Sequence, residues 1–184
     1  MSSVSYGKYF PEVAAGRVFI GSTAAAGTAF PISTGTAVTF GVWNNSPGTW
    51  VVPLWFGAGY TSGTIALGSL GFANQDVGFQ VATGSPMTAF NSGTAKNALL
   101  GDGRASKVSF CPAGTTTLAS GGTGVMVTGH SIESASAGTG VYSWDHDFDG
   151  KVIVRPGQIF FACSSVAQTA LFTMSLAWAE IDAQ

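Results

Sequence analysis

The sequence predicts an all-β fold, a sandwich or barrel of about ten short antiparallel strands, and three observations predict it. Glycine is frequent, at 26 of 184 residues, twice its ordinary share of about 7%. The residues that usually clothe the solvent face of a helix, Glu, Lys, Arg and Gln, are scarce. Apolar and β-branched runs recur between Gly and Pro signals at spacings of roughly 10–15 residues.

Taken in chain order, residues 1–16 read as an irregular N-terminal arm, polar and then Tyr9-Phe-Pro-Glu12. The rest, 17–184, reads as a single domain, since no linker or repeat divides it. Residues 17–20 and 27–32 read as short strands. Thr36–Trp43 alternates, with Val38, Phe40 and Val42 on one face and Thr39, Gly41 and Trp43 on the other. Asn44-Asn-Ser-Pro-Gly48 is a turn signal. Thr49–Phe56 returns as a strand, and Pro53 removes a ladder donor, which predicts an edge or a bulge there. Ser62–Phe72 and Gly78–Val81 read as further strands. Residues 84–106 are weakly patterned, with one short helix expected over Thr94–Leu100. Residues 107–110 and 123–132 read as strands about a turn at Gly121-Gly122, and 134–140 as a loop.

The C-terminal third is patterned most clearly. Residues 140–148 alternate, placing Asp145 and Asp147 on one face and Trp144, His146 and Phe148 on the other. Residues 151–154 and 158–162 read as strands about Pro156-Gly157. In the last strand, Leu171–Ile181, Phe172, Met174, Leu176 and Trp178 share one face. Thr173, Ser175, Ala177 and Ala179 share the other.

Charge is the most unusual property. The chain holds seven Lys or Arg and nine Asp or Glu, 9% of its residues, against about 25% in an average soluble domain. From Val18 to Gln75 there is none. A compact chain of this size exposes roughly 8,000 Å², so its surface is sticky unless something covers it. This predicts a subunit packed against its own copies or against a larger shell. Net charge is −2 with no basic cluster, which argues against direct nucleic-acid binding. No apolar run approaches the roughly 20 residues of a membrane-spanning helix, and the first residues carry no secretory signal pattern. Synthesis in a cytoplasm is expected. Cys111 and Cys163 lie on apolar segments and read as small buried hydrophobes, not a disulfide.

Trp144-Asp-His-Asp-Phe-Asp-Gly-Lys-Val-Ile-Val-Arg-Pro-Gly157, followed by an apolar strand and the ending Leu176-Ala-Trp-Ala-Glu180, resembles the C-terminal half of small jelly-roll structural proteins of tailed-bacteriophage virions. The resemblance covers about 40 residues and describes a hairpin geometry, not a chemistry. It implies a jelly-roll-like sandwich of about 8–10 strands and a virion role, as capsid decoration or cement, or as a head or tail spike.

Candidate chemistry is sparse. Asp145, Asp147, Asp149 and Gly150 spell the opening of a calcium loop, but the twelfth position is Pro156, where an EF-hand needs Glu. A structural Ca²⁺ on these three Asp competes with a solvated acidic strand end; no other cofactor is expected. His130 and His146 are the only histidines. No G-x-S-x-G elbow supports a triad, no spacing supports zinc, and no enzyme is expected. His146, between two Asp, is expected to have a raised pKa. Trp43, Trp50 and Trp55 flank the 44–48 turn, either packed or free to stack on sugars. Subunit contacts are expected at Thr39, Trp43, Thr49, Trp50 and Trp55. Arg17 and Arg155 are expected to pair with Glu180 or Asp182 across an interface.

These readings converge on a non-enzymatic virion protein made in the host cytoplasm. It is expected to form a homotrimer and to cement neighbouring copies of a major capsid protein. A spike domain binding host carbohydrate is the first alternative. A single-jelly-roll major capsid protein is the second, disfavoured by the lack of a basic arm.

Overall fold

The computed structural model describes residues 7–114, 116–120, 127–132 (backbone only) and 142–183. Among these the one helix is α1 (Phe10–Ala14). The strands are β1 (Val18–Ser22), β2 (Ala37–Val38), β3 (Gly41–Trp43), β4 (Thr49–Ser62), β5 (Gly68–Asp76), β6 (Met87–Ala89) and β7 (Lys96–Asn97), then β8 (Ser109–Cys111), β9 (Thr116–Leu118), β10 (Val127–Ile132), β11 (Ser143–Asp147), β12 (Gln158–Ser164) and β13 (Leu171–Asp182).

Two five-stranded sheets carry the fold, in the orders β11-β4-β13-β1-β7 and β10-β5-β12-β3-β8, with every pairing antiparallel. Leaving out the short β7 and β8, eight long-range strands remain: β1, β3, β4, β5, β10, β11, β12 and β13. Numbered one to eight along the chain, they stand 6-3-8-1 in one sheet and 5-4-7-2 in the other. That is the rolled double Greek key of a jelly roll, so the fold is an all-β, antiparallel jelly-roll sandwich. Strands β6–β9 belong to the long segment between β5 and β10. They extend both sheets by one strand each and form, with β2, a third sheet of order β2-β9-β6.

The space between the two large sheets is filled by rings. Phe72 lies 4.8–5.2 Å from the rings of Phe56, Trp144, Phe148 and Phe160. Trp178, fully buried, stacks between Phe19 and Phe110. The inward alternation of Phe172, Met174, Leu176 and Trp178 follows the period-two pattern of the sequence. Strand β12 is buried on both faces. Its outer side chains Ile159, Phe161 and Cys163 join Trp43, Met87 and Leu118 in a second core beneath the three-stranded sheet. A third, smaller cluster lies outside the other sheet, where Val13 of α1 and Tyr9 just before it lie over Val18, Val52, Leu54 and Ala179.

Pro53 is accommodated by a bulge. The register of β4 on β13 runs Trp55↔Ala177 and then Pro53↔Trp178, leaving Leu54 as the extra residue. A central strand tolerates proline only where the ladder is broken in this way.

Several local expectations are corrected. Residues 94–100 hold β7, not a helix. Residues 27–32 and 151–154 make only single bridges, Thr28↔Phe172, Ile32↔Ser164 and Val51↔Val154. Residues 78–81 form no strand. The 36–43 run is cut into β2 and β3, because its two halves join different sheets. The expected turn at 121–122 and loop at 134–140 lie outside the described residues.

Candidate functional site

Each outer face of the sandwich meets a different fate, and that singles out one surface. The β12 side is closed by the three-stranded sheet. Among the described residues the other side is covered, by α1 and its flank, over only half its length. The uncovered half is crossed by a register-matched row: Asp147 on β11, Trp55 on β4, Ala177 on β13, Ile20 on β1 and Lys96 on β7. The next row along the strands is Asp145, Gly57, Ser175 and Ser22. Small residues leave the centre flat, and the Trp55 ring lies along its own strand where a Gly57 side chain would stand. Ile20 and Trp55 remain 40% and 37% exposed.

The acidic edge of this face is organised by the chain's own N-terminal segment. Lys8 Nζ lies 2.7 Å from Asp147 and 2.8 Å from Asp149. The Tyr9 hydroxyl donates to Asp147 at 2.5 Å, and the Asp149 N–H donates to Asp147 at 2.9 Å. The Lys8 and Tyr9 hydrogen bonds hold the Asp147 carboxyl down to about 2. Asp145 and Asp147 face outward and Trp144 inward, as the alternation requires. Lys8 therefore takes the position between two carboxylates that a bound cation would take. Among the described residues no group of three or more His, Cys, Asp or Glu is placed to hold a metal ion.

His146 reverses one expectation. Its pKa is lowered, because burial against Phe72 and Phe148 outweighs the raising effect of Asp147 and Asp145. The His130 side chain lies outside the described residues.

The other predicted contact residues are placed differently from one another. Trp43 is buried, donates its indole N–H to the Gly78 carbonyl at 2.9 Å and packs on Phe90. The alternation of 36–43 sets it outward, and it does face out of its sheet, but the β6–β9 segment covers it. That segment is weakly patterned in sequence, which hid the cover. Thr49 is buried and bonded to Ser46. Thr39 donates to the Ala29 carbonyl. Trp50 is half-buried, and Trp55 stands on the open face. Neither arginine pairs with Glu180. Arg17 is 2.6 Å from Glu12, and the exposed Arg155 follows a bridge residue at the sheet margin.

Glu180 is buried and committed within the chain. It accepts from Ser106 Oγ at 2.5 Å, from the Lys107 N–H at 2.9 Å and from Trp178 Nε1 at 3.2 Å. Lys107 Nζ pairs with Asp182 at 2.7 Å. The Trp-x-Glu ending is thus a structural tie between the last strand and the segment before β8. The residues missed in sequence, Lys8, Tyr9 and Ser106, act on partners far along the chain, and no local pattern announces that. Ala177 is legible as an outward position from the alternation of the last strand; Ile20, in the unbroken apolar run Val18-Phe19-Ile20, is not.

No family model, curated protein or solved structure matches this chain.

Proposed function

We propose that this chain is a non-enzymatic structural subunit of a bacteriophage virion, a decoration protein that cements neighbouring major capsid subunits. One observation carries the reading: a jelly-roll sandwich leaves open one flat, small-residue sheet face with apolar side chains at its centre and charges at its rim. The jelly roll occurs in viral shells and in lectins alike, and fold alone does not assign function. The face supplies the mechanism. Surface burial over many copies adds moderate contacts into a stable particle, and the charge-poor surface is covered in the process.

The test is the composition of purified particles. The reading expects this chain to co-sediment with the shell in a copy number near that of the major capsid protein, and particles lacking it to burst at lower temperature. Absence from particles overturns it.

A second reading is favoured by Trp55, whose exposed ring lies flat along its strand. Such a platform stacks on sugar rings, which suits a spike domain binding host carbohydrate. Glycan-array binding that is lost in Trp55→Ala, with a few dozen copies or fewer per particle, would favour it over cement.

A further inference from the structure

We infer that two copies of this chain pair face to face through the open half of the outer sheet, about a two-fold axis lying along β13. The inference goes beyond the virion reading and stands or falls separately from it.

The sequence of the register row carries it. From β11 to β7 the row reads acid, aromatic, small, aliphatic, base: Asp147, Trp55, Ala177, Ile20, Lys96. Four strand steps of about 4.8 Å separate its charged ends, about 19 Å. A two-fold axis along the central strand reverses the row on itself. Ala177 then meets Ala177 of the partner subunit, Trp55 meets the partner's Ile20, and the acidic edge meets the partner's Lys96. This is the self-complementarity that an isologous contact requires. An axis across the strands would instead set acid against acid.

Shape agrees with charge. Beside Ile20 a depression of about 560 Å³ is rimmed by Lys96 and Leu100, and Leu100 is 91% exposed. The reversed row sets the partner's Trp55 ring, flat along its own strand, over this depression as an aromatic anchor. At the axis Ala177 and Ser175 present little bulk, so the backbones approach closely.

The edge charges are available for such a contact. Lys96 and Asp145 are exposed and form no ion pair among the described residues. Asp145 stands beside Asp147 on the same face, within reach of a lysine side chain from the facing sheet. The contact is small, so association is expected in the micromolar range and to weaken with salt.

Sedimentation velocity of the full chain across the micromolar range tests this. The expected result is a monomer–dimer equilibrium. Lys96→Asp and Asp145→Lys are each expected to weaken pairing about tenfold, because each sets two like-charge contacts across the axis. Trp55→Ala is expected to weaken it about 30-fold. Mixing the two charge variants restores pairing, since the mixed dimer alone recovers both opposite-charge contacts. Ala177→Cys, oxidised, yields covalent dimers. Circular dichroism confirms that each variant is folded. A monomer at all concentrations, a trimer insensitive to either reversal, or mixing without rescue would overturn the inference.

Discussion

Lys8 holds its ammonium 2.7 Å from the Asp147 carboxylate, tying the start of the described chain to β11. The tie is at the surface, yet it has a titration signature. Asp147 is held down to about 2 from an ordinary 3.8. Its contribution to stability is therefore complete above about pH 3.8 and lost as pH falls through about 2. In Lys8→Met the strongest cause of that depression is gone. The Asp147 carboxyl, followed by carbon-13 NMR, is expected to titrate closer to 3.8. An unchanged midpoint would mean that Lys8 does not occupy this position in solution.

Glu180 predicts a larger effect, because its carboxylate is buried and three donors converge on it. Glu180→Ala leaves the Lys107 N–H and the Trp178 indole without their acceptor, while the Ser106 hydroxyl keeps the Val108 carbonyl. Hydrogen bonds to a charged group contribute about 1.5–3 kcal/mol, and a buried donor left unmet costs a similar amount. Urea unfolding is expected to show a loss of about 3 kcal/mol. Glu180→Gln keeps one oxygen as acceptor and is expected to lose less.

The aromatic core and the open face are separable by the same measurement. Phe72 touches four rings of the core, so Phe72→Ala is expected to cost about 3–5 kcal/mol. Trp55→Ala removes a ring from a water-facing surface and is expected to stay within about 0.5 kcal/mol in the monomer.

The cysteines are expected to be inert in the native protein. Burial pushes the Cys163 thiol up to about 12 and raises Cys111 as well. Both are buried and unpaired. A thiol reagent near neutral pH is expected to modify neither in buffer and both in denaturant. Modification of Cys163 in buffer would show that the second core opens locally.

Alternation made most of the sandwich legible. Phe172 to Trp178 point inward and Thr173 to Ala177 outward as read, and the Pro53 bulge follows from the chemistry of one residue. What sequence did not disclose is cover. Trp43 faces out of its sheet but lies beneath Phe90, and Val52 lies beneath Tyr9 and Val13. Period-two patterning says which face a residue takes, not whether another layer closes over it. The His146 expectation failed for a related reason: its neighbours in sequence are acids, but its neighbours in space are phenylalanine rings.

Two strand glycines, Gly41 and Gly59, differ in what an added side chain would meet. Gly41 on β3 is paired with Phe161 on β12. A Cβ there would stand 2.4 Å from the Phe160 carbonyl oxygen and 2.9 Å from Phe161 Cα. These are backbone atoms of a strand buried on both faces, so they cannot step aside as a side chain does. Gly41→Ala is expected to push β3 off β12 and to cost about 3 kcal/mol, read as a lower urea midpoint. Gly59 on β4 faces outward, and its added Cβ would meet only Thr173 Oγ1 at 3.4 Å. Relief of strand-interior glycine entropy then decides the sign. Gly59→Ala is expected to be neutral or to stabilise by up to about 1 kcal/mol. Equal losses in the two variants would mean that close approach of β3 to β12 is not what Gly41 provides.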